Sequence, residues 1–196
     1  QQRRLIGAMI VPFVSIVLHM AMFTVAIPTI RADFALPADT ASWLVIVYTL
    51  PYIIFMPFHG VWGDAVGKRR LLVAGGVCYV AGCGICLAAP DLRWLIVGRI
   101  VQAAGAASVN PLCLSIISEH FEHGRRGKAL GTWNSSGPFT AVIAPVLGGL
   151  IIDGFGWRAI YLPILAVGFA SVFVVYRLIP RRTEPAHVHR VAKSFD

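Results

Sequence analysis

The chain alternates between long apolar stretches and short charged interruptions. Apolar runs recur at about 5–30, 43–62, 71–89, 94–118, 128–152 and 158–179. A bilayer core needs about 20 mostly apolar residues of helix, so the pattern predicts an all-α membrane protein of six transmembrane helices. Open strands are excluded, because lipid offers no partner for unpaired backbone groups. These helices fill residues 1–179 as one bundle and leave 180–196 as a polar cytoplasmic linker.

Composition agrees with this. Hydrophobic residues make up 57% of the chain and charged residues only 13%, against about 25% charged in a soluble domain. The mean hydropathy is +0.74. A net charge of +8 raises nucleic acid as a partner, but Lys and Arg sit in short runs between apolar stretches. No basic helix or aromatic-basic stacking surface appears, which argues against it. The runs instead orient the chain. Arg3, Arg4, Lys68, Arg69, Arg70, Arg125, Arg126, Lys128, Arg181, Arg182, Arg190 and Lys193 fall on one side; the other has only Arg31, Arg93 and Arg158. The positive-inside rule places both termini in the cytoplasm, and an even number of spans requires that they share a side. The leading Gln1-Gln2-Arg3-Arg4 resembles a signal peptide, but the run from Leu5 to Ile30 is too long and lacks a small-residue cleavage site. It is expected to remain a span.

Ionisable groups at membrane depth point to function by default. Arg99 lies in the fourth span, roughly 8 Å in from Trp94 at 1.5 Å per residue. It needs a polar cavity, a partner or an outward path. Gln102, at i+3, extends a polar stripe on the same face. His19 lies about 20 Å along the first helix from Ile6. It reads either as a titrating or substrate-facing group or as a neutral, hydrogen-bonded packing residue. Arg99 likewise reads as functional or as a brace for the bundle. Every Asp and Glu falls at a loop or helix end, so this chain supplies no carboxylate proton relay in mid-membrane.

Other signals carry less. Gly and Pro are frequent within the spans, which fits both moving, closely packed helices and the ordinary composition of membrane helices. Cys83-Gly84-Ile85-Cys86 matches the C-x-x-C pattern, but lies in an apolar helix with no second pair, and reads as small packing residues. Asn134-Ser135-Ser136 matches a glycosylation acceptor inside the fifth span. His120 and His123, flanked by Glu119 and Glu122, resemble a metal cluster but are expected in a short solvated loop; His187 and His189 lie in the polar tail. No metal site and no cofactor are expected. No nucleophile-base-orienter set or phosphate-binding loop sits in a plausible context, so the chain is not read as an enzyme.

The cytoplasmic loop expected after the second span, Gly60-Val-Trp-Gly63-Asp64-Ala-Val-Gly67-Lys68-Arg69-Arg70, resembles the G-x-x-x-D-x-x-G-[RK]-[RK] signature of the major facilitator superfamily. Leu95-Ile-Val-Gly98-Arg99-Ile-Val-Gln102-Ala103-Ala-Gly105 is similar to that family's R-x-x-Q-G-x-G-A motif, with Ala103 for a glycine. The fifth span, with Gly137-Pro138 and then Ala144-Pro145-Val-Leu-Gly148-Gly149, resembles the antiporter motif G-P-x-x-G-G, with Ala144 for its first glycine. Trp157-Arg158 and Ser194-Phe195-Asp196 look most like the fourteen-span drug:proton antiporters. Their first span usually carries L-D-x-T-x-x-N-x-A-x-P; here His19 stands in the acid's position and Thr24 in the asparagine's.

The resemblance implies a major-facilitator N-terminal bundle of two inverted three-helix repeats. It implies a cytoplasmic gate of Gly60, Asp64, Gly67, Lys68, Arg69 and Arg70, and a coupling and transport path of His19, Thr24, Arg99 and Gln102. It also implies an antiporter helix carrying Gly137, Pro138, Pro145, Gly148 and Gly149. The expected function is efflux of small lipophilic or cationic compounds by proton antiport, in a cell inner or plasma membrane. The expected partners are the lipid bilayer, a small-molecule substrate, and a C-terminal half-bundle or a second copy. Alternatives are an uncoupled or substrate-specific transporter, and a truncated, non-transporting remnant or interaction protein.

Overall fold

In a computed structural model, which describes residues 2–179, every apolar stretch is helical. The cause is local: in lipid a backbone N–H and C=O must pair within their own segment, and a helix achieves this. The helices are α1 (Gln2–Asp33), α2 (Ala38–Val66), α3 (Lys68–Leu87), α4 (Leu92–Ala106), α5 (Val109–His120), α6 (His123–Phe155) and α7 (Tyr161–Leu178), with a 3-10 turn at Trp157–Ile160. Among the described residues there is no strand. Six segments are long and apolar enough to cross a bilayer. The expected linker, 180–196, with His187, His189 and Ser194-Phe195-Asp196, lies outside the described residues.

Three local expectations need correction. The fourth span is not one continuous helix, since α4 ends at Ala106 and α5 begins at Val109. Pro111 explains the break: it has no N–H for the Ala107 carbonyl, and its ring crowds that carbonyl. Ser108 Oγ steadies the joint by donating to the Gly105 carbonyl at 2.8 Å. The signature after the second span is not a loop either. α2 runs through Asp64 to Val66, and Gly67 alone separates it from α3. Its φ of +99° is a left-handed value that a side chain disfavours. Finally, His120 and His123 lie at helix ends rather than in a solvated loop.

Packing follows residue size. α3 lies tightly on α4 through small residues. A Cβ at Gly82 would strike the Gln102 backbone, and one at Gly105 would strike the backbone of Gly75 and Tyr79. α6 lies along α1, where Gly137 meets Phe13, Gly148 meets Met22, and Trp133 Nε1 donates to the Met9 carbonyl at 3.2 Å. Within the most apolar stretch of each span, 61% of residues are buried in Leu92–His120 but only 17% in Ser42–Val66 and in Gly124–Phe155. The fourth span is therefore central, and the second and fifth have broad open apolar faces.

Overfilling a packed site costs about 1–3 kcal/mol. Gly82→Val is expected to lower the unfolding midpoint in mild detergent, read by intrinsic fluorescence on heating. Gly84→Ala, where a Cβ meets nothing within 4 Å, is expected to leave the midpoint unchanged or raise it. Equal midpoints for Gly82→Val and wild type would refute the close contact between α3 and α4.

Candidate functional site

The centre of the bundle holds a cation. Arg99 projects from α4 and is 2% exposed; His19, from α1, is fully buried. Arg99 Nη1 lies 2.9 Å from His19 Nε2, and Nη2 donates to the Leu44 carbonyl of α2 at 3.2 Å. The guanidinium carbon sits 3.6 Å from the centre of the Phe23 ring and 4.6 Å from that of Tyr48. A guanidinium only donates, so Nε2 of His19 must accept, which puts the imidazole proton on Nδ1. No carboxylate is among these contacts. Ring faces, a carbonyl and an imidazole lone pair stabilise the charge instead.

His19 is ringed by Phe23, Tyr48, Tyr79 and Tyr161, with ring centres 5.3–6.2 Å away. It reaches no open face of the bundle. Thr24 does: it is exposed, and its hydroxyl donates back to the Met20 carbonyl at 2.9 Å. The structure thus unites His19 with Arg99 and separates Thr24 from both. Gln102 is fully buried one turn beyond Arg99, but Nε2 turns to Cys83 Sγ at 2.8 Å. Its Oε1, Arg99 Nε, His19 Nδ1 and Tyr48 Oη are buried with no hydrogen-bond partner among the described residues.

At the basic end, Lys68 joins two spans. Its ammonium lies 3.1 Å from Asp64, one turn away, and also pairs with Glu119 at the end of α5. Arg69 donates to the Tyr176 carbonyl of α7 and stacks over the Tyr176 ring. That carbonyl is in the last turn of α7, where it has no helical partner. Arg70 is exposed. Gly60 faces Pro111, and Gly63 faces Leu112 closely enough that a Cβ would collide, so the signature glycines seat α2 on α5. On α6, Gly137 and Gly148 are buried while Pro138 is exposed and Pro145 and Gly149 are half-buried.

The opposite end carries its own tie. Asp33, closing α1, accepts from Trp157 Nε1 at 3.0 Å and Arg158 Nη1 at 2.9 Å. Arg158 Nη2 also donates to the Ala89 carbonyl after α3, at 3.1 Å. The sequence singled out Trp157 and Arg158 but not Asp33 as their partner. It also missed Glu119 as the partner of Lys68, the tyrosines around His19, and a hydrogen bond of 2.8 Å from Asn110 to Tyr52 Oη. A readable signal existed only for the tyrosines, as polar-tipped rings inside apolar runs.

A family model described as Major Facilitator Superfamily matches residues 9–195. An uncharacterized MFS-type transporter of Mycobacterium tuberculosis is 36% identical, over 93% of this chain and 31% of its own length. The riboflavin transporter RibZ of Clostridioides difficile is 33% identical, over 90% and 38%. The multidrug resistance protein Stp of Mycobacterium tuberculosis is 31% identical, over 81% and 30%. The chain thus spans about a third of the length of these relatives. Among solved structures, an inward-facing, unoccupied bacterial homolog of the human lysosomal transporter Spinster superposes with a TM-score of 0.77 at 19% identity, over 98% of this chain and 47% of that one. The POT-family transporter PepTSo gives 0.73 at 14%, over 90% and 36%. At such identities the two structures establish the fold alone. The relatives are membrane transporters, not enzymes. From the family match and these relatives together, the chain belongs to the major facilitator superfamily.

Proposed function

We propose that this chain forms six spans of a secondary active exporter of small lipophilic or cationic compounds, driven by proton antiport across a cell inner or plasma membrane, with both termini cytoplasmic. The observation that carries the reading is the buried contact between Arg99 and His19. Its chemistry is that of a switch. Protonating Nε2 removes the acceptor and sets two cations side by side where water cannot screen them. The pair must then separate, which shifts α1 against α4 and the Leu44 carbonyl of α2. A proton on His19 would thereby bias helix positions, as coupling requires.

Asp64, Lys68 and Arg69 act in this reading as a cytoplasmic gate. Their contacts with Glu119 and the end of α7 tie α2 and α3 to α5 and α7 in one state and release in another. Gly137 and Gly148 let α6 follow α1. The open faces of α2 and α6 take a second half-bundle or a second copy. The name of Stp supports drug efflux. The name of RibZ, with the missing mid-membrane acid, supports a second reading in which a specific substrate moves without proton coupling.

Dye efflux from cells expressing the longest reading frame that carries this chain, with and without an uncoupler, separates the two. Uncoupler-sensitive efflux is expected. Losing a charged hydrogen bond costs about 1.5–3 kcal/mol, so Arg99→Ala is expected to cut that efflux by about ten- to a hundredfold at 1.4 kcal/mol per decade. Wild-type efflux that ignores the uncoupler would leave the second reading standing. For the gate, Lys68→Glu is expected to cut efflux about fivefold, as loss of a pair worth about 1 kcal/mol implies. The swap Lys68→Glu with Glu119→Lys is expected to restore part of it. No recovery in the swap, at equal membrane expression, would count against the pairing.

A further inference from the structure

The end of the bundle opposite the basic runs carries a cation that nothing engages. Arg31 Nε donates to the Leu36 carbonyl at 3.0 Å, and Arg158 holds Asp33 and the Ala89 carbonyl. Arg93 is exposed and has no hydrogen bond, ion pair or ring contact among the described residues. It stands in the first turn of α4, which contains no acid and where the helix dipole disfavours a cation. The neighbouring acid, Asp91, is turned to the Trp94 backbone N–H at 3.0 Å. Arg93 and Trp94 lie four and three positions before Val97, which is 46% exposed, so both belong to the lipid-facing side of α4.

Beside them α3 and α4 part to form a groove of about 500 Å³, within the roughly 300–1,000 Å³ of small-ligand clefts. Ala81, Gly84, Ile85 and Ala88 of α3 form one wall, and Pro90 and Trp94 stand at the end nearest Arg93. A Cβ at Gly84 would meet nothing within 4 Å, so the wall is open rather than filled from α4. From Ala88 to Ala81 it runs roughly 10 Å along α3 at 1.5 Å per residue, about two-thirds of one leaflet of a 30 Å hydrocarbon core. The lining is apolar except for the Trp94 indole N–H, which has no partner among the described residues. The end of the groove is held in shape, because Ala88 N–H donates to the Gly84 carbonyl at 3.1 Å and Arg158 grips the Ala89 carbonyl.

We propose that this groove seats one acyl chain of an anionic phospholipid, in the leaflet at the end opposite the basic runs, with the headgroup phosphate against Arg93 and the Trp94 indole N–H. The wall calls for hydrocarbon, and the unpaired guanidinium at the positive end of α4 calls for an anion. A phospholipid carries both, at the depth where a tryptophan sits between headgroups and chains. A zwitterionic lipid brings its own cation toward Arg93, so a lipid of net negative charge is preferred. A lipophilic cation would meet Arg93 as a like charge, and a soluble anion has nothing to place in the groove. The site depends neither on proton coupling nor on which substrate moves.

The test is native mass spectrometry of the longest reading frame that carries this chain, released from nanodiscs of phosphatidylcholine doped with phosphatidylglycerol. Wild type is expected to retain one phosphatidylglycerol that Arg93→Gln retains poorly; this variant changes only an exposed side chain without partners and guards against misfolding. The affinity for phosphatidylglycerol is expected to fall about fivefold, which is about 1 kcal/mol at 1.4 kcal/mol per decade and the order of one arginine's attraction to an anionic lipid surface. Affinity for phosphatidylcholine is expected to stay unchanged. Gly84→Phe, which fills the groove, is expected to lose the same phosphatidylglycerol with Arg93 intact. Retention of the two lipids by wild type in proportion to their abundance in the disc would overturn the proposal. A bound phosphatidylglycerol that both variants leave in place lies elsewhere and overturns it too. Loss in Arg93→Gln but not in Gly84→Phe would show attraction of a headgroup without a seated chain, against the groove. A cationic dye held more tightly by Arg93→Gln and lost in Gly84→Phe would make the groove a substrate seat and overturn the lipid site.

Discussion

A cation buried without a carboxylate sets the constraint on the whole bundle. Arg99 is surrounded by apolar helices, and an unpaired charge there is expensive. Arginine suits the position because its charge is spread over a plane, more weakly hydrated than an ammonium and able to lie on ring faces. Phe23 and Tyr48 supply those faces, Leu44 a carbonyl, and His19 a lone pair. These groups come from α1 and α2, so the position of one side chain on α4 determines how three helices meet. The tyrosines around His19 enclose the contact and keep water from diluting it.

Close approach elsewhere makes this possible. α3 lies on the glycine face of α4, where Gly98 and Gly105 leave no room for a side chain. Gln102 is drawn to that side by the Cys83 thiol, while Arg99 is left to α1 and α2. Polar groups therefore divide within one turn of α4: an amide braces α3, and a cation faces the imidazole. The ends of the bundle differ in kind. The Asp33 and Arg158 carboxylate and guanidinium are 44% and 39% exposed, and exposed pairs contribute only about 0–1 kcal/mol each. Such ties can exchange at small cost, whereas the central contact cannot change without a large change in charge energy.

Much of this was legible residue by residue. Arg99 and His19 stood out because nothing else ionisable interrupts their apolar runs. The signature from Gly60 to Arg70 was legible because its glycines and charges have a fixed spacing; Gly67 proved to be the one residue between two helices. Thr24 shows a limit that was in principle readable. Five residues from His19 turn a helix by about 140° at 3.6 residues per turn, so the two could not share a face. The partner of Lys68 was not legible. Glu119 lies 51 residues away in no motif, as one of several acids at helix ends. The break at Pro111 was present in the sequence as a proline inside an apolar run, and a reading by hydropathy alone passes over it.

The sequence by itself determined six membrane-crossing helices and membership of a transporter superfamily, because helix formation in lipid depends on runs of neighbouring residues. The tertiary structure alone decided that Arg99 meets His19 across 80 positions, that Tyr79 reaches Ser15, and that Thr24 faces away from both. Those pairings depend on which helices pack together and at what height. That arrangement is set by glycines and rings scattered across the whole chain, so no local stretch of sequence contains it.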